Sequence, residues 1–311
     1  MRKTTMGQSS ALMKTGARLQ SKLTLMAALV LAVSCSDRIH DMAVIDDEGI
    51  PVNIRVASLE QVPFGPIGTK GQNGLQDACS VINYAVYNVS DGKLDKQINQ
   101  KSTDDAFGTL SLKLEEGSYR LVVIAHNGDA NATMTDRNKI QFQNNSKRRI
   151  TDTFLYSSEI EVHKDMEPLS LNLDRVVAKI ELHLVADSVP PSVVQMEFEI
   201  GSGGSSGLNT TNGYGTRSTK YTEKISVAPG DTLIEVYTFV YEGAESTKMT
   251  VVAKDSNGEE VKKILIENIP VSRNRITRYS GVLFGKESIN TQSVVCLNRE
   301  WAGLSDFPIP Y

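Results

Sequence analysis

Three cysteines, four histidines and a few acidic pairs are the residues of this 311-residue chain best suited to covalent, metal or acid–base chemistry. His40, His126, His163 and His183 lie far apart, and no Cys-x-x-Cys or Cys/His cluster gives metal-ligand spacing. His183 alternates with Leu182 and Leu184, which puts it on the solvent face of a strand. Asp46-Asp47, Glu115-Glu116 and Glu259-Glu260 stand in turns or near the N-terminus, where solvated charges explain them better than a general acid and base. There is no Gly-x-Ser-x-Gly nucleophile elbow, and the glycine-rich run Gly201–Gly207 has neither the lysine nor the following helix of a phosphate loop. The reading is a non-enzymatic protein that uses no cofactor and no metal. Cys35 stands apart from the other candidates. It closes a largely apolar run, Leu23–Val33, that follows Arg2, Lys3, Lys14, Arg18 and Lys22 with no acidic residue before Asp37. A basic start, an apolar run of 11 residues and a small residue make a secretory signal peptide, too short for a spanning helix, which needs about 20 apolar residues.

The segment Ala32-Val33-Ser34-Cys35 resembles the lipobox of bacterial lipoproteins. The resemblance implies cleavage between Ser34 and Cys35 and a diacylglycerol on the Cys35 thiol. Two or more acyl chains suffice for stable membrane attachment where one does not. The chain then divides into a signal at 1–34, a polar tether at 35–48 and a folded body.

Composition agrees with attachment by lipid rather than by charge. Loss of the five basic signal residues leaves 28 basic against 37 acidic, a net charge of −9. Such a body argues against nucleic acid as a partner, since phosphate binding needs a basic patch. Cys79 and Cys296 could pair in a secreted protein, but, more than 200 residues apart, they read better as two separate buried thiols. The single tryptophan, Trp301, reads as packed, and no cluster of aromatics suits sugar stacking.

The elements that would carry these residues are strands. Val52, Ile54 and Val56 alternate with Asn53 and Arg55; Leu110, Leu112 and Leu114 do the same; Tyr119–Ala125 is apolar enough to be buried on both faces. Further strands are expected at 78–89, 94–98, 151–162, 196–200, 221–227, 232–241, 247–254, 260–267, 275–284 and 293–297. Asp91-Gly92 marks a hairpin turn. Leu169–Val185 alternates strongly but changes phase at Asp174-Arg175, which suggests one domain ending where another begins. Residues 62–74 read as a long loop, 127–149 as a surface excursion with at most one short strand, and 201–215 as a flexible loop. Long helical periodicity is absent. The class is all-β, two β-sandwich domains in tandem at 49–167 and 168–311. The pattern Leu114-x-x-Gly before one core strand and Val227-x-x-Gly before another echoes between the halves.

Three segments carry a more specific resemblance: Leu114–Asn127, Leu173-Asp-Arg-Val-Val-Ala-Lys-Ile-Glu-Leu182 and Ile269-Pro-Val-Ser-Arg-Asn-Arg-Ile-Thr-Arg-Tyr-Ser-Gly-Val-Leu283. Together they resemble the fimbrillin-like proteins of Bacteroidetes, closest to the FimB-like lipoprotein fimbrial anchor proteins, the minor fimbrium anchoring subunits. The resemblance implies two transthyretin-like Greek-key sandwiches, and an outer-membrane, surface-exposed subunit of a fimbrium. It also implies partners that are other fimbrial subunits, joined by exchange of a strand, and possible contact with host or bacterial surface ligands. Shaft subunits of that family lose their first strand to cleavage after Arg or Lys, for which Arg55 and Lys70 are the candidates. An anchor would keep the strand, and the residues leave the two roles open. A surface glycan-binding lipoprotein is the alternative.

Overall fold

Alternation of apolar and polar residues at period two dominates the chain from residue 50 onward, and the computed structural model is built almost wholly of strands. It describes residues 49–60, 73–142, 149–217, 219–285 and 303–310, with the main chain alone at 303–306. The signal, Ser34, Cys35, the tether, Lys70, Cys296, Trp301 and the strand expected at 293–297 lie outside the described residues.

The first half holds β1 (Ile50–Leu59), a short helix α1 (Asn73–Ala78), β2 (Val81–Asn88), β3 (Leu94–Lys101), β4 (Thr109–Leu114), β5 (Gly117–His126), β6 (Ala132–Thr133), β7 (Ile140–Phe142), β8 (Thr153–Val162) and β9 (Leu169–Arg175). The second holds β10 (Val177–Leu184), β11 (Gln195–Ile200), β12 (Gly204–Ser205), β13 (Gly207–Asn209), β14 (Tyr214–Gly215), β15 (Tyr221–Ser226), β16 (Leu233–Val240), β17 (Ser246–Lys254), β18 (Glu260–Pro270), β19 (Arg275–Gly281) and β20 (Gly303–Pro308).

Seven strands of the first half run in the order β3-β2-β5-β8-β9-β1-β4. Only two residue pairs join β8 to β9, so the sheet folds over there. Its two ends face each other across one core that takes Val52, Ile54 and Val56 from β1, Ile82, Tyr84 and Val86 from β2, and Leu171 and Leu173 from β9. The second half is a sandwich of a β12-β16-β10-β19-β20 sheet on a β15-β11-β17-β18 sheet. Phe198, Met249, Ile180, Val236 and Ile266 fill its core. The fold class is therefore all-β with two sandwiches in tandem, as expected. The sheets change over at Val176, one residue beyond the phase shift read at Asp174-Arg175, so β9, which the expected boundary at 167/168 gave to the second domain, belongs to the first sandwich.

A third core joins the two. The outer faces of β2 and β5 bury Ala85, Tyr87, Val122 and Ile124 against Met134, Ile140, Phe142, Leu208, Phe239 and Ile276. This explains why β5 is apolar on both faces.

Three expectations need correction. Residues 132–142 are not a surface excursion. They give β6 and β7, which with β13 and β14 form a small four-stranded sheet over this third core. Asn73–Ala78 is helical, with the Cys79 N–H donating to the Leu75 carbonyl at 2.9 Å, so the next strand starts at Val81 rather than Ala78. The glycine-rich run from 201 is packed rather than flexible. A Cβ on Gly203 would stand 2.1 Å from the Ser246 carbonyl oxygen, and one on Gly215 would stand 2.3 Å from Ser205 Cβ. Glycine is used here for close approach of chains, which composition alone cannot distinguish from use as a flexible joint.

Two glycines separate these uses experimentally. Gly203 has φ +99° and no room for a Cβ, whereas Gly258 has φ +83° and nothing within 4 Å. Gly258→Ala should cost about 1–2 kcal/mol of unfolding free energy, from backbone conformation alone. Gly203→Ala adds a steric clash with main chain and should cost about 3 kcal/mol or more in urea titrations. Equal losses at the two sites would refute the packed reading of the run.

Candidate functional site

Among the described residues, the groups suited to covalent or acid–base chemistry are either buried and held by partners or exposed. Cys79 is buried and unpaired, its thiol hydrogen-bonded to the Leu75 carbonyl at 3.4 Å. Burial, with the charge of Asp152 adding to it, pushes the thiol up to about 12, far from the thiolate a nucleophile needs. Lys179 lies between Glu181 and Glu235 at 2.8 and 2.9 Å, and Arg278 reaches Glu181 at 2.7 Å. Burial pulls the Lys179 ammonium down, but the hydrogen bonds and charges of the two glutamates outweigh it and leave it above the usual lysine range. It is a held cation in a cross-strand ladder, not a free amine. His163 and the pairs Glu115-Glu116 and Glu259-Glu260 are exposed, and His183 is half-exposed. Among the described residues no three His, Cys, Asp or Glu side chains are gathered to hold a metal ion.

His126 ends β5 and is 1% exposed. Its Nδ1 accepts the Gly128 N–H at 3.0 Å, and the proton on Nε2 is donated to Asn83 Oδ1 at 3.1 Å. Both nitrogens are thus committed in the neutral ring, and burial pulls the imidazole down to about 4. The unfolded chain takes up a proton near pH 6.5 while the folded one refuses it until about pH 4. Stability contributed by the neutral ring is present above pH 6.5 and is lost as pH falls toward 4, about 3 kcal/mol in all. Guanidinium titrations at pH 7.5 and 4.5 should show that loss in the wild type and less of it in His126→Gln. A variant that loses as much as the wild type would place the acid sensitivity elsewhere.

What the fold does assemble is a junction. Arg175, the last residue of β9, is 4% exposed. Its guanidinium donates to both oxygens of Asp152, at 2.8 and 2.9 Å, and to Asn274 Oδ1 at 3.1 Å, and it lies 4.7 Å over the Phe154 ring. Asn274 occupies the turn between β18 and β19 with φ 58°, and its N–H donates to the Val177 carbonyl at 2.8 Å. The segments Leu173–Leu182 and Ile269–Leu283, far apart in sequence, therefore meet at one point. Beyond it they run side by side as the parallel pair β10/β19, Lys179 opposite Ile276. Next to the junction, Arg273 covers the ring of Tyr214 at 4.2 Å and donates to the Asn212 carbonyl at 3.1 Å. A groove of about 660 Å³ is lined there by Glu60, Asp174, Arg175, Tyr214, Glu245 and Arg273. Its one aromatic ring is occupied by a guanidinium, an arrangement unsuited to stacking a sugar.

The second assembled feature is the slot held by β1. This strand pairs antiparallel with β4 over Ile50–Arg55 and parallel with β9 over Ile54–Leu59. It is an internal strand, although it is the first strand described. A register shift between Val56 and Ser58 turns Leu59 back to the core face, so Val52, Ile54, Val56 and Leu59 are all buried. Arg55 sits mid-strand between β4 and β9 with its side chain in solvent.

A family model matches residues 80–303 of the sequence. The chain belongs to the family of unknown function DUF6562. A comparison with curated proteins finds no match. Solved structures similar to this DUF6562 chain include a fimbrial assembly protein from Parabacteroides distasonis, at 12% identity and TM-score 0.40, covering 79% of this chain and 94% of that one. They also include the fimbrial anchor protein Mfa2 from Porphyromonas gingivalis, at 13% identity and TM-score 0.37, covering 70% and 82%. The tip fimbrial protein Mfa3 from the same organism matches at 11% identity and TM-score 0.36, covering 77% and 96%. Fimbrial proteins are thus among the structures this chain resembles, and at such scores the likeness assigns no role by itself.

Proposed function

We propose that this protein is a lipid-anchored, non-enzymatic subunit of a Bacteroidetes-type surface fimbria, held in the outer membrane through Cys35 and joined to other subunits by strand complementation. The observation that carries the proposal is the position of β1. The first described strand lies inside the first sandwich, between two strands that both come later in the chain. A strand in that position can be withdrawn as a unit and leaves a groove of one strand's width, which another subunit's strand can fill by β-augmentation. The segments that resemble fimbrillin-like proteins support the same reading, because two of them build the junction beside this slot.

Of the two candidate processing residues we take Lys70. Cleavage after it would release the lipid, the tether and all of β1 together, whereas cleavage after Arg55 would leave Val56–Leu59 in the slot. An anchor keeps Lys70 intact and stays on the membrane; a polymerised subunit loses everything before Gly71. Mass spectrometry of the mature N-terminus distinguishes the two roles by finding either acylated Cys35 or Gly71 first. The anchoring itself is tested by Cys35→Ser. Fractionation of cells should move this variant out of the membrane pellet, and fimbriae should be shed or altered in length. If the variant stays in the membrane with fimbriae attached as before, the lipid-anchor reading fails.

A further inference from the structure

The chain leaves β1 through Glu60, and this residue is joined to the junction twice. Its N–H donates to the Leu173 carbonyl at 2.8 Å, and its carboxylate accepts the N–H of Arg175, also at 2.8 Å. The side chain of that same Arg175 then reaches Asp152 and Asn274. A continuous set of contacts therefore runs from the end of the first strand, through the main chain and side chain of Arg175, to the β18–β19 turn of the second sandwich. A main-chain N–H next to a buried guanidinium needs an acceptor, and leaving it without one costs more than the bond itself contributes.

We infer that Glu60 is a latch. It couples occupancy of the β1 slot to the junction between the sandwiches, so any strand that takes the place of β1 must bring a side-chain acceptor just after its last core residue. The partner chemistry follows from the register. Core-facing apolar residues at the positions of Val52, Ile54, Val56 and Leu59 must be followed at once by a carboxylate or a side-chain amide. A donor strand with the apolar pattern but an aliphatic residue at the last position would fill the core and leave the junction unlatched. This rests on the strand-complementation reading for its biological use, but the coupling is a property of the single chain and can be measured without a partner.

The test is amide hydrogen exchange on the intact chain carrying Glu60→Ala or Glu60→Gln. Loss of a charge-assisted bond to a buried donor should speed exchange about tenfold or more at Arg175 in Glu60→Ala. Asn274, reached through the Arg175 guanidinium, should speed up with it, while Tyr84 and Val123 in the first core stay as slow as in the wild type. Glu60→Gln, which keeps an acceptor, should restore most of the protection at both sites. The latch is overturned if Asn274 does not respond, if Gln and Ala behave alike, or if exchange rises throughout the first core as well. Any of those results leaves strand complementation standing. Conversely, failure of a slot-filling peptide to bind a chain lacking β1 would overturn strand complementation and leave the coupling in the intact chain untouched.

Discussion

Arg175→Met is expected to lower the free energy of unfolding by about 3 kcal/mol, toward the lower end for breaking a buried ion pair because Asp152 keeps some solvent. The side chains of the pair are 2% and 17% exposed. Methionine nearly matches the volume of the arginine stem and removes the charge, so the loss reports on what is left behind. Asp152 keeps a charge without its bidentate partner, and Asn274 Oδ1 loses the Arg175 donor. Pairing the change with Asp152→Asn removes the stranded charge and should return part of the stability, which a double-mutant cycle measures. A single-variant loss below about 1 kcal/mol would show that Arg175 is a passive neighbour rather than a tie.

The other large effect is expected from removing β1. A chain that begins at Gly71 loses Val52, Ile54, Val56 and Leu59 from the first core, about 6–12 kcal/mol of apolar burial at 1.5–3 kcal/mol for each side chain. That is comparable with the whole stability of an ordinary domain. It also uncovers Leu112, Leu114, Leu171 and Leu173 along the vacated slot. The truncated chain should therefore be found as aggregates or as strand-exchanged oligomers by light scattering. A synthetic peptide of residues 49–60 should return it to a monomer, and the same peptide with Ile54→Asp should not. A truncated chain that stays monomeric and melts where the full chain does would remove the physical basis for strand complementation.

How far these features could be read from the sequence depends on the range of the interactions that make them. The slot was legible: β1 and β4 alternate cleanly, and β5 is apolar on both faces because each face meets a different core. The junction was legible only as a loss of phase at Asp174-Arg175. The partners that bury Arg175 stand 23 and 99 residues away, and a guanidinium whose partners are distant leaves no local pattern. Glu60 was not singled out at all, for the same reason. β6 and β7 are too short to show a period, and their burial depends on β13, about 70 residues later. The run from Gly201 misled because glycine serves both loose chain and tight crossing, and only the neighbours at Ser246 and Ser205 decide between them. The expectation at Cys35 rests on local sequence alone, a thiol at the end of an apolar run.

The parallel pairing of β1 with β9 also bears on the order of events during folding. Ile54 finds its partner in Leu169, so β1, once made, must wait for more than a hundred further residues before half of its hydrogen bonds can form. Closing a loop of that length is among the slow steps of folding. A strand made before its sheet neighbours is therefore among the last to be seated, and throughout that interval its place in the sheet stands open.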